Sequence, residues 1–377
     1  MSQSSPRRTL VFVGTYTRPE PHVKAASGKG IYTFELDRAT GALSFLSLTE
    51  NIASPSFLAV DRAGRYLYAI SEVSQEPEGW LSAYAIDRET GGLRFINRQP
   101  THGSGPAYVS VDATGRYAFV ANYGGGEAVA MFPIRPDGGL EPASHTVRHQ
   151  GSSVNPDRQT SPHPHCTVVD PSNRFLLVAD LGIDRIVCYR IDHDAGKLAP
   201  CDPPGVSADP GAGPRHIAFH PNGRFVYNIQ ELDSRITAYA FDNGRMEALQ
   251  TVPALPDDFS GQSTAADIRV HPNGRFVYAS NRGHDSIVAY AIDESGRLSY
   301  IAHQSTRGET PRNFNLDPGG GFLLAANQDS DTIVTFRVDG TTGVLEDTGV
   351  VTNTPTPVCI EMSSYTHLQP PETVLNL

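Results

Sequence analysis

The sequence has little of several features that mark common functional classes. Its 377 residues include one tryptophan and four cysteines, and no two cysteines form a CxxC pair. No segment is rich in lysine and arginine, and 30 basic against 41 acidic residues give a formal net charge of −11. This balance disfavours nucleic-acid binding and docking to anionic membranes as main functions. A small anionic ligand is still compatible with it wherever a few arginines converge.

The N-terminal segment lacks a long apolar run. "MSQSSPRRTLVFVGTYT" holds only five apolar residues before Gly14, and Tyr16 and Arg18 follow at once. We therefore expect neither a signal peptide nor a transmembrane helix. Together with four cysteines read as reduced thiols, this predicts a cytoplasmic protein.

Glycine and proline are abundant instead, with 35 and 29 residues, whereas charged residues make up only 19%. Such a composition is typical of an all-β protein with many turns. The pattern "GPRHIAFHPNGRFVY" recurs along the chain, and each copy predicts two strands around a tight turn. The anchor positions lie 45 to 58 residues apart, at Pro55, Pro106, Pro164, Pro214, Ala266, Pro311 and Pro357.

Each copy continues with a strand that is apolar on both faces, such as "ITAYAF", then a glycine turn and a more polar strand. Seven four-stranded copies predict an all-β fold, a seven-bladed β-propeller with antiparallel blades. The N-terminal "LVFVGTY" lacks a first strand and the C-terminal "PVCIEM" lacks a second, so the two are predicted to close the ring in one blade. We expect a single domain over residues 1–377, with tails at 1–9 and 366–377.

Antiparallel pairing places the start of each first strand and the end of each second strand at the same mouth of the ring. The first strands begin there with Ser56, Ala107, His165, Arg215, Asp267, Arg312 and Val358. The second strands end there with Tyr16, Glu72, Asn122, Asp180, Glu231, Arg282 and Gln328. Converging arginines suit the binding of a small carboxylate or phosphate. The alternative is a solvated ion-pair network that only lines the channel.

The stretch "SPHPHC" raises the question of a metal site. His163 and His165 share a strand face if the strand begins early enough to include both, but Zn²⁺ needs further ligands, and no cysteine or carboxylate stands at a recognised spacing. Cys166 is expected to point the other way. The sequence also contains no GxSxG, P-loop or Rossmann motif. We therefore predict no metal ion, no other cofactor and no serine nucleophile.

The chain resembles the seven-bladed β-propeller lactonase family from Leu10 to about Glu361. The resemblance rests on "FVGTYT", the repeated turn motif, "SPHPHC", "GPRHIAFHPNGRFVY" and "SNRGHDSI". Members of this family hydrolyse 6-phosphogluconolactone or cyclise 3-carboxy-cis,cis-muconate. The resemblance implies a catalytic set that consists of His165, Arg215, Glu231 and Arg282.

We therefore expect a metal-free lactonase that hydrolyses a small anionic sugar lactone, first of all 6-phosphogluconolactone. Glu231 or His165 would be the base, and Arg215 and Arg282 would hold the substrate anion or the oxyanion. Further substrate-binding candidates are Arg312, His163, Asp267 and Glu72. Two alternatives stay open, a lactone-forming cycloisomerase and a non-catalytic propeller that binds a metabolite or a protein. We expect the lactone to be the only ligand, with no nucleic-acid or membrane partner. The protein is expected to be a monomer or a homodimer.

Overall fold

The computed structural model describes residues 7–366, which form seven four-stranded antiparallel sheets. The predicted seven-bladed propeller is confirmed, and so is its closure by the two chain ends. The predicted tails, 1–9 and 366–377, lie mostly outside the described residues, and the first strand already begins at Arg7. Within 7–366, no helix has the length and apolar character needed to cross a membrane.

We number the blades along the ring. Blade 1 contains β1 (Arg7–Thr15), β2 (Ile31–Leu36), β3 (Leu43–Thr49) and, next to the channel, β28 (Pro357–Thr366). Blade 2 contains β4 (Leu58–Val60), β5 (Tyr66–Ser71), β6 (Trp80–Ile86) and β7 (Leu93–Pro100). Blade 3 contains β8 (Gly103–Val111), β9 (Tyr117–Gly126), β10 (Val129–Pro133) and β11 (His145–Val147). Blade 4 contains β12 (Pro164–Val169), β13 (Phe175–Asp180), β14 (Arg185–Asp192) and β15 (Lys197–Ser207).

The remaining three blades repeat this order from the channel outwards. Blade 5 contains β16 (Pro214–Phe219), β17 (Phe225–Gln230), β18 (Arg235–Asp242) and β19 (Arg245–Pro253). Blade 6 contains β20 (Thr264–Val270), β21 (Phe276–Arg282), β22 (Ser286–Ile292) and β23 (Leu298–Ser305). Blade 7 contains β24 (Pro311–Leu316), β25 (Phe322–Asn327), β26 (Thr332–Val338) and β27 (Leu345–Asn353). Short 3₁₀ helices, Leu181–Ile183 and Gln328–Ser330, follow β13 and β25.

Burial follows the position of each strand within its blade. All six residues of β17 are buried, and β18 is buried over most of its length, whereas all but one of the residues of β19 are exposed or partly buried. Stacked sheets cover the middle strands on both faces, which is why these strands lack the apolar–polar alternation of a one-sided sheet. The hydrophobic core therefore lies between the blades, and polar residues of the inner strands line the central channel.

The inner hairpins owe their geometry to a polar residue before the turn. In blade 3, one carboxylate oxygen of Asp112 accepts hydrogen bonds from the backbone N–H groups of Arg116 and Tyr117, at 2.7 and 2.9 Å. In blade 5, His220 takes this position, and its Nε2 bonds the Gly274 carbonyl of the next blade at 2.7 Å. The repeated turns thus fix both the hairpin and the contact to the neighbouring blade.

Ring closure joins strands from the two ends of the described chain. β1 pairs with β28 over almost its whole length, from Arg7 opposite Thr366 to Thr15 opposite Pro357. This pairing leaves no free edge at the channel side of β1. All seven inner strands consequently face one another, and their first residues surround the same mouth.

Candidate active site

A β-bulge at the start of the inner strands selects the side chains that face the mouth. In β16, Arg215 has no partner on β17, because the residues on either side of it pair with Gln230 and Ile229. A bulge turns its extra residue out of the ladder. The equivalent unpaired residues of other blades are Ala107, His165, Arg312 and Val358. All of these line one small cavity at the mouth, together with Ser56, Glu72 and His216.

Glu231 is the centre of a buried charge cluster at this mouth. Its Oε2 accepts from Arg215 Nε at 2.9 Å and lies 3.2 Å from Arg282 Nη2, and its Oε1 lies 2.6 Å from Arg158 Nη2. Burial alone would raise the pKa of Glu231, but Arg282, Arg215 and Arg158 outweigh burial and hold the pKa well below its usual range. Glu231 is therefore an ionised anchor for three guanidinium groups, and both of its oxygens are occupied.

His165 stands beside this cluster in a different state. Its side chain is 6% exposed, and its Nδ1 has no hydrogen-bond partner among the residues that the structure describes. Burial, together with Arg215 and His216, lowers the pKa of His165 well below its usual range. The imidazole is consequently neutral, and the neutral imidazole is the form that can accept a proton.

A second group of side chains forms the opposite wall. Glu72 accepts hydrogen bonds from the hydroxyls of Tyr16, at 2.8 Å, and Ser56, at 2.5 Å. His22 Nε2 lies 2.8 Å from the Tyr16 hydroxyl. The Arg312 guanidinium lies over the Tyr16 ring, 5.6 Å from its centroid, and makes no ion pair with any described carboxylate. Arg312 is thus a cation at the cavity whose charge is still available to an anion.

The structure corrects the placement of Asp267. Counted from the pair of Ala265 with Asn281, the bulge position in β20 falls on Ala266, and Asp267 lies one residue deeper. There it bonds His216 Nδ1 at 2.7 Å and Asn313 Nδ2 at 2.7 Å and pairs with Arg269 at 3.2 Å. Blade 6 has Ala265 and Ala266 where the other blades have an anchor proline. The repeat pattern predicts Ala266 as the anchor, whereas in the structure Ala265 occupies that position. The side chain is held by protein groups below the mouth.

Two second-strand ends were also misplaced by one residue. Pro106 pairs with Asn122 and Pro164 with Asp180, so the positions equivalent to Glu231 are Tyr123 and Leu181. Asn122 Nδ2 donates to the backbone carbonyls of Thr101 and Glu127, and Asp180 bonds His149 at 2.6 Å. Tyr123 is therefore the residue of the second strand that blade 3 presents at the mouth.

His163 supports the mouth from the side. Its ring stacks on Tyr123 at a centroid distance of 4.6 Å, and its Nδ1 lies 2.8 Å from the Tyr123 carbonyl oxygen. His163 and His165 thus have different surroundings although they are two residues apart. Among the described residues, no group of three or more His, Cys, Asp or Glu side chains is arranged to hold a metal ion. The metal-free site stays a prediction.

Sequence reasoning missed Arg158, which comes from the segment between β11 and β12. It bonds the Tyr123 hydroxyl at 3.1 Å as well as Glu231. The segment is fixed by buried contacts, since Gln159 Nε2 donates to the Leu181 carbonyl at 2.8 Å and Ser153 bonds Asp184 at 2.5 Å. The longest anchor interval, from Pro106 to Pro164, was the available signal, because it contains residues that no other repeat has.

Comparison with known proteins agrees with this architecture. The sequence matches the family described as "Lactonase, 7-bladed beta-propeller" over residues 10–362. The chain belongs to this lactonase family. The prediction of a lactonase-type enzyme is thereby confirmed at the level of the family.

Three relatives illustrate the range of the family. A 6-phosphogluconolactonase of Bacillus subtilis is 36% identical, over 93% of this chain and 97% of its own. A 6-phosphogluconolactonase of Formosa agariphila is 35% identical, over 81% of this chain and 85% of its own. The structure of a Pseudomonas aeruginosa periplasmic gluconolactonase superposes with a TM-score of 0.88 at 34% identity, covering 94% of this chain and 99% of its own.

Proposed function

We propose that the protein hydrolyses a small anionic sugar lactone, with 6-phosphogluconolactone as the first candidate, by acid–base catalysis without a metal ion. The observation that carries the proposal is one cavity lined by a neutral histidine without a hydrogen-bond partner among the described residues, His165, and by a buried guanidinium, Arg215. These two elements suit ester hydrolysis, because the histidine can accept a proton from water and the guanidinium can donate hydrogen bonds to the oxyanion. The names of the Bacillus and Formosa relatives support the choice of substrate.

In the proposed reaction, His165 removes a proton from a water molecule whose oxygen attacks the lactone carbonyl carbon. The carbonyl oxygen becomes an oxyanion that Arg215 stabilises, with Arg282 beside it. The bond between the carbonyl carbon and the ring oxygen then breaks, and His165 returns the proton to that oxygen. The product is a hydroxy acid with a free carboxylate.

The structure favours His165 over Glu231 as the base for a geometric reason. Both Glu231 oxygens are taken by arginines, whereas His165 lines the cavity and its ring makes no hydrogen bond to a described residue. The charge of Arg215 is one cause of the low pKa of His165. A bound substrate anion offsets that charge, so we expect substrate binding to make His165 a stronger base.

A substrate panel tests the reaction class. Purified protein, with and without prior EDTA treatment, is assayed on 6-phosphogluconolactone, gluconolactone and 3-carboxymuconate by following acid release with a pH indicator and lactone formation by ultraviolet absorbance. We expect hydrolysis of the phosphorylated lactone at full rate after EDTA. Loss of the rate with EDTA would contradict the metal-free reaction, and turnover of 3-carboxymuconate alone would show a cycloisomerase.

Arg312 is proposed to bind the anionic group of the substrate, because it lines the cavity and forms no ion pair with any described carboxylate. Arg312→Gln should raise KM for 6-phosphogluconolactone by about 10- to 100-fold, the usual range for a lost charge-assisted hydrogen bond. KM for gluconolactone, which has no phosphate, should not change. Arg18→Gln is the matched control, since Arg18 forms an exposed ion pair with Glu76. An equal rise in KM for both lactones would assign Arg312 another role.

The cellular location is proposed to be the cytoplasm, where phosphorylated sugars are found. The Pseudomonas relative is named periplasmic, so location varies among similar proteins. Fractionation of cells that express the full chain checks this point directly.

A further inference from the structure

A buried chain of side chains connects the proposed oxyanion site to the next blade. Arg215 Nη1 donates to His216 Nε2 at 3.1 Å, and His216 Nδ1 lies 2.7 Å from Asp267 Oδ1. Arg215, His216 and Asp267 are 1%, 3% and 1% exposed. Because an ionised carboxylate only accepts, the proton of His216 must lie on Nδ1, and Nε2 is left as an acceptor for the guanidinium.

The charges around His216 maintain this arrangement. The ring meets Arg215 on its own strand, Asp267 on β20, and the rings of His165 and Tyr108 at centroid distances of 5.1 Å. Burial, followed by Arg215, lowers the pKa of His216 to about 3. The ring is consequently neutral at any pH at which the protein is assayed, and its acceptor nitrogen is always present.

We infer that His216 is a positioning residue that fixes the guanidinium plane of Arg215, with Asp267 setting its tautomer. The inference rests on the proposed lactonase site. A guanidinium is planar, so fixing two of its nitrogens fixes the third. Nε is held by Glu231, and Nη1 is held by His216 and by the Ala266 carbonyl at 2.7 Å. Nη2 has no hydrogen-bond partner among residues 7–366, and its two N–H groups are the donors left for an oxyanion in the cavity.

The contacts of Asp267 hold His216 and Arg215 in place. Its Oδ1 also accepts from the Ile268 N–H at 2.9 Å, and its own N–H donates to Ser280 Oγ at 3.0 Å. Blade 7 adds the amide of Asn313, and the Asn313 oxygen accepts from the Ile360 N–H at 2.7 Å. Blades 5, 6, 7 and 1 are thus linked under the mouth, so the orientation of Arg215 is determined by the ring as a whole.

Two amide replacements of His216 separate positioning from packing. Asn places its polar atoms where Nδ1 lies and can keep the bond to Asp267, whereas Gln places them where Nε2 lies and can accept from Arg215. We expect His216→Asn to lower kcat on 6-phosphogluconolactone about 10-fold, the effect of one lost hydrogen bond to a charged group, with KM unchanged. His216→Gln should recover most of that loss. Thermal unfolding of both variants measures their shared packing defect.

The outcomes discriminate between explanations. Equal kcat values for the Asn and Gln variants, or a parallel change in KM, would overturn the inference and leave His216 a structural residue. If neither variant folds, Asp267→Asn takes their place. Its amide can donate to His216 Nδ1, which moves the ring proton to Nε2, and Nε2–H then faces the N–H donors of Arg215. An undiminished kcat in that variant would equally overturn the inference. Full activity of Arg215→Lys would instead refute the proposed site, so the two failures are distinguishable.

Discussion

Replacement of His165 by asparagine is expected to lower kcat on 6-phosphogluconolactone by about 10²- to 10⁴-fold, the usual contribution of general acid–base catalysis. Asparagine keeps a polar side chain in the cavity but cannot accept a proton from water. KM should change little, because the anion is held by arginines. Steady-state kinetics at neutral pH, with the spontaneous hydrolysis rate subtracted, provides the measurement.

His163→Asn is the matched control for this experiment. It removes a second histidine from the same strand start, but one whose ring packs on Tyr123 outside the cavity lining. Its kcat should remain close to that of the parent chain. A full kcat in His165→Asn would refute the assignment of the base, and the carboxylate of Glu231 would then be the group to test.

The pH profile of the parent chain gives an independent check on His165. Its pKa is lowered, so the neutral form persists as the pH falls through the ordinary titration range of histidine, near 6.5. The acid limb of kcat/KM should therefore lie below that range. A limb centred on 6.5 that also appears with gluconolactone, which has no phosphate to titrate at about pH 6, would show that the reacting group titrates as an ordinary histidine.

Glu231→Gln is expected to destabilise the fold by about 3–5 kcal/mol, the cost of removing one partner from a buried ion pair. The amide leaves Arg158, Arg215 and Arg282 without their shared counter-charge, and activity should fall with the disorder of Arg215. Urea unfolding at neutral pH measures the free energy of unfolding. Glu76→Gln, in an exposed pair with Arg18, should cost only about 0–1 kcal/mol.

The same comparison has a definite pH dependence. The folded pKa of Glu231 lies well below the value of about 4.3 expected in the unfolded chain. Its stabilisation is therefore complete above that value and is lost as the pH falls through the folded pKa. The gap in stability between the parent chain and Glu231→Gln should narrow in acid. A gap that is constant down to pH 3 would mean that the carboxylate charge is not what stabilises the cluster.

The fold was predictable because its signals are local and repeated. A turn such as "HPNGR" specifies its own hairpin, and seven copies of one pattern leave few architectures other than a closed ring. The convergence of His165, Arg215, Glu231, Arg282 and Arg312 at one mouth followed from strand direction alone, without any knowledge of side-chain contacts. Glu231 and Arg282 could be placed because Glu231 follows directly after β17 and Arg282 is the last residue of β21, and both second strands have ordinary lengths.

Other features of the site depend on contacts that no repeat encodes. Asp267 was placed one residue too shallow because the bulge in β20 begins at Ala265, where the anchor proline is missing. Tyr123 was missed because the position in β9 that is equivalent to Glu231 was placed one residue too early, at Asn122. Arg158 was missed because it comes from a segment with no counterpart in the other blades. The register of a strand pair and the path of a loop depend on packing against neighbouring blades, and the sequence of a single strand contains no information about that packing.

The sequence by itself therefore determined the seven blades, the closure of the ring and the mouth at which charged residues meet. Only the tertiary structure decided the state of each group there. Glu231 is enclosed by three arginines, the Nδ1 of His165 has no hydrogen-bond partner among the described residues, and Arg312 forms no ion pair with a described carboxylate. Arg215 is held by a histidine of its own strand, and that histidine is held by a carboxylate of the next blade. The physical reason is that a pKa and a guanidinium orientation depend on distances of a few ångströms between residues that are far apart in the chain.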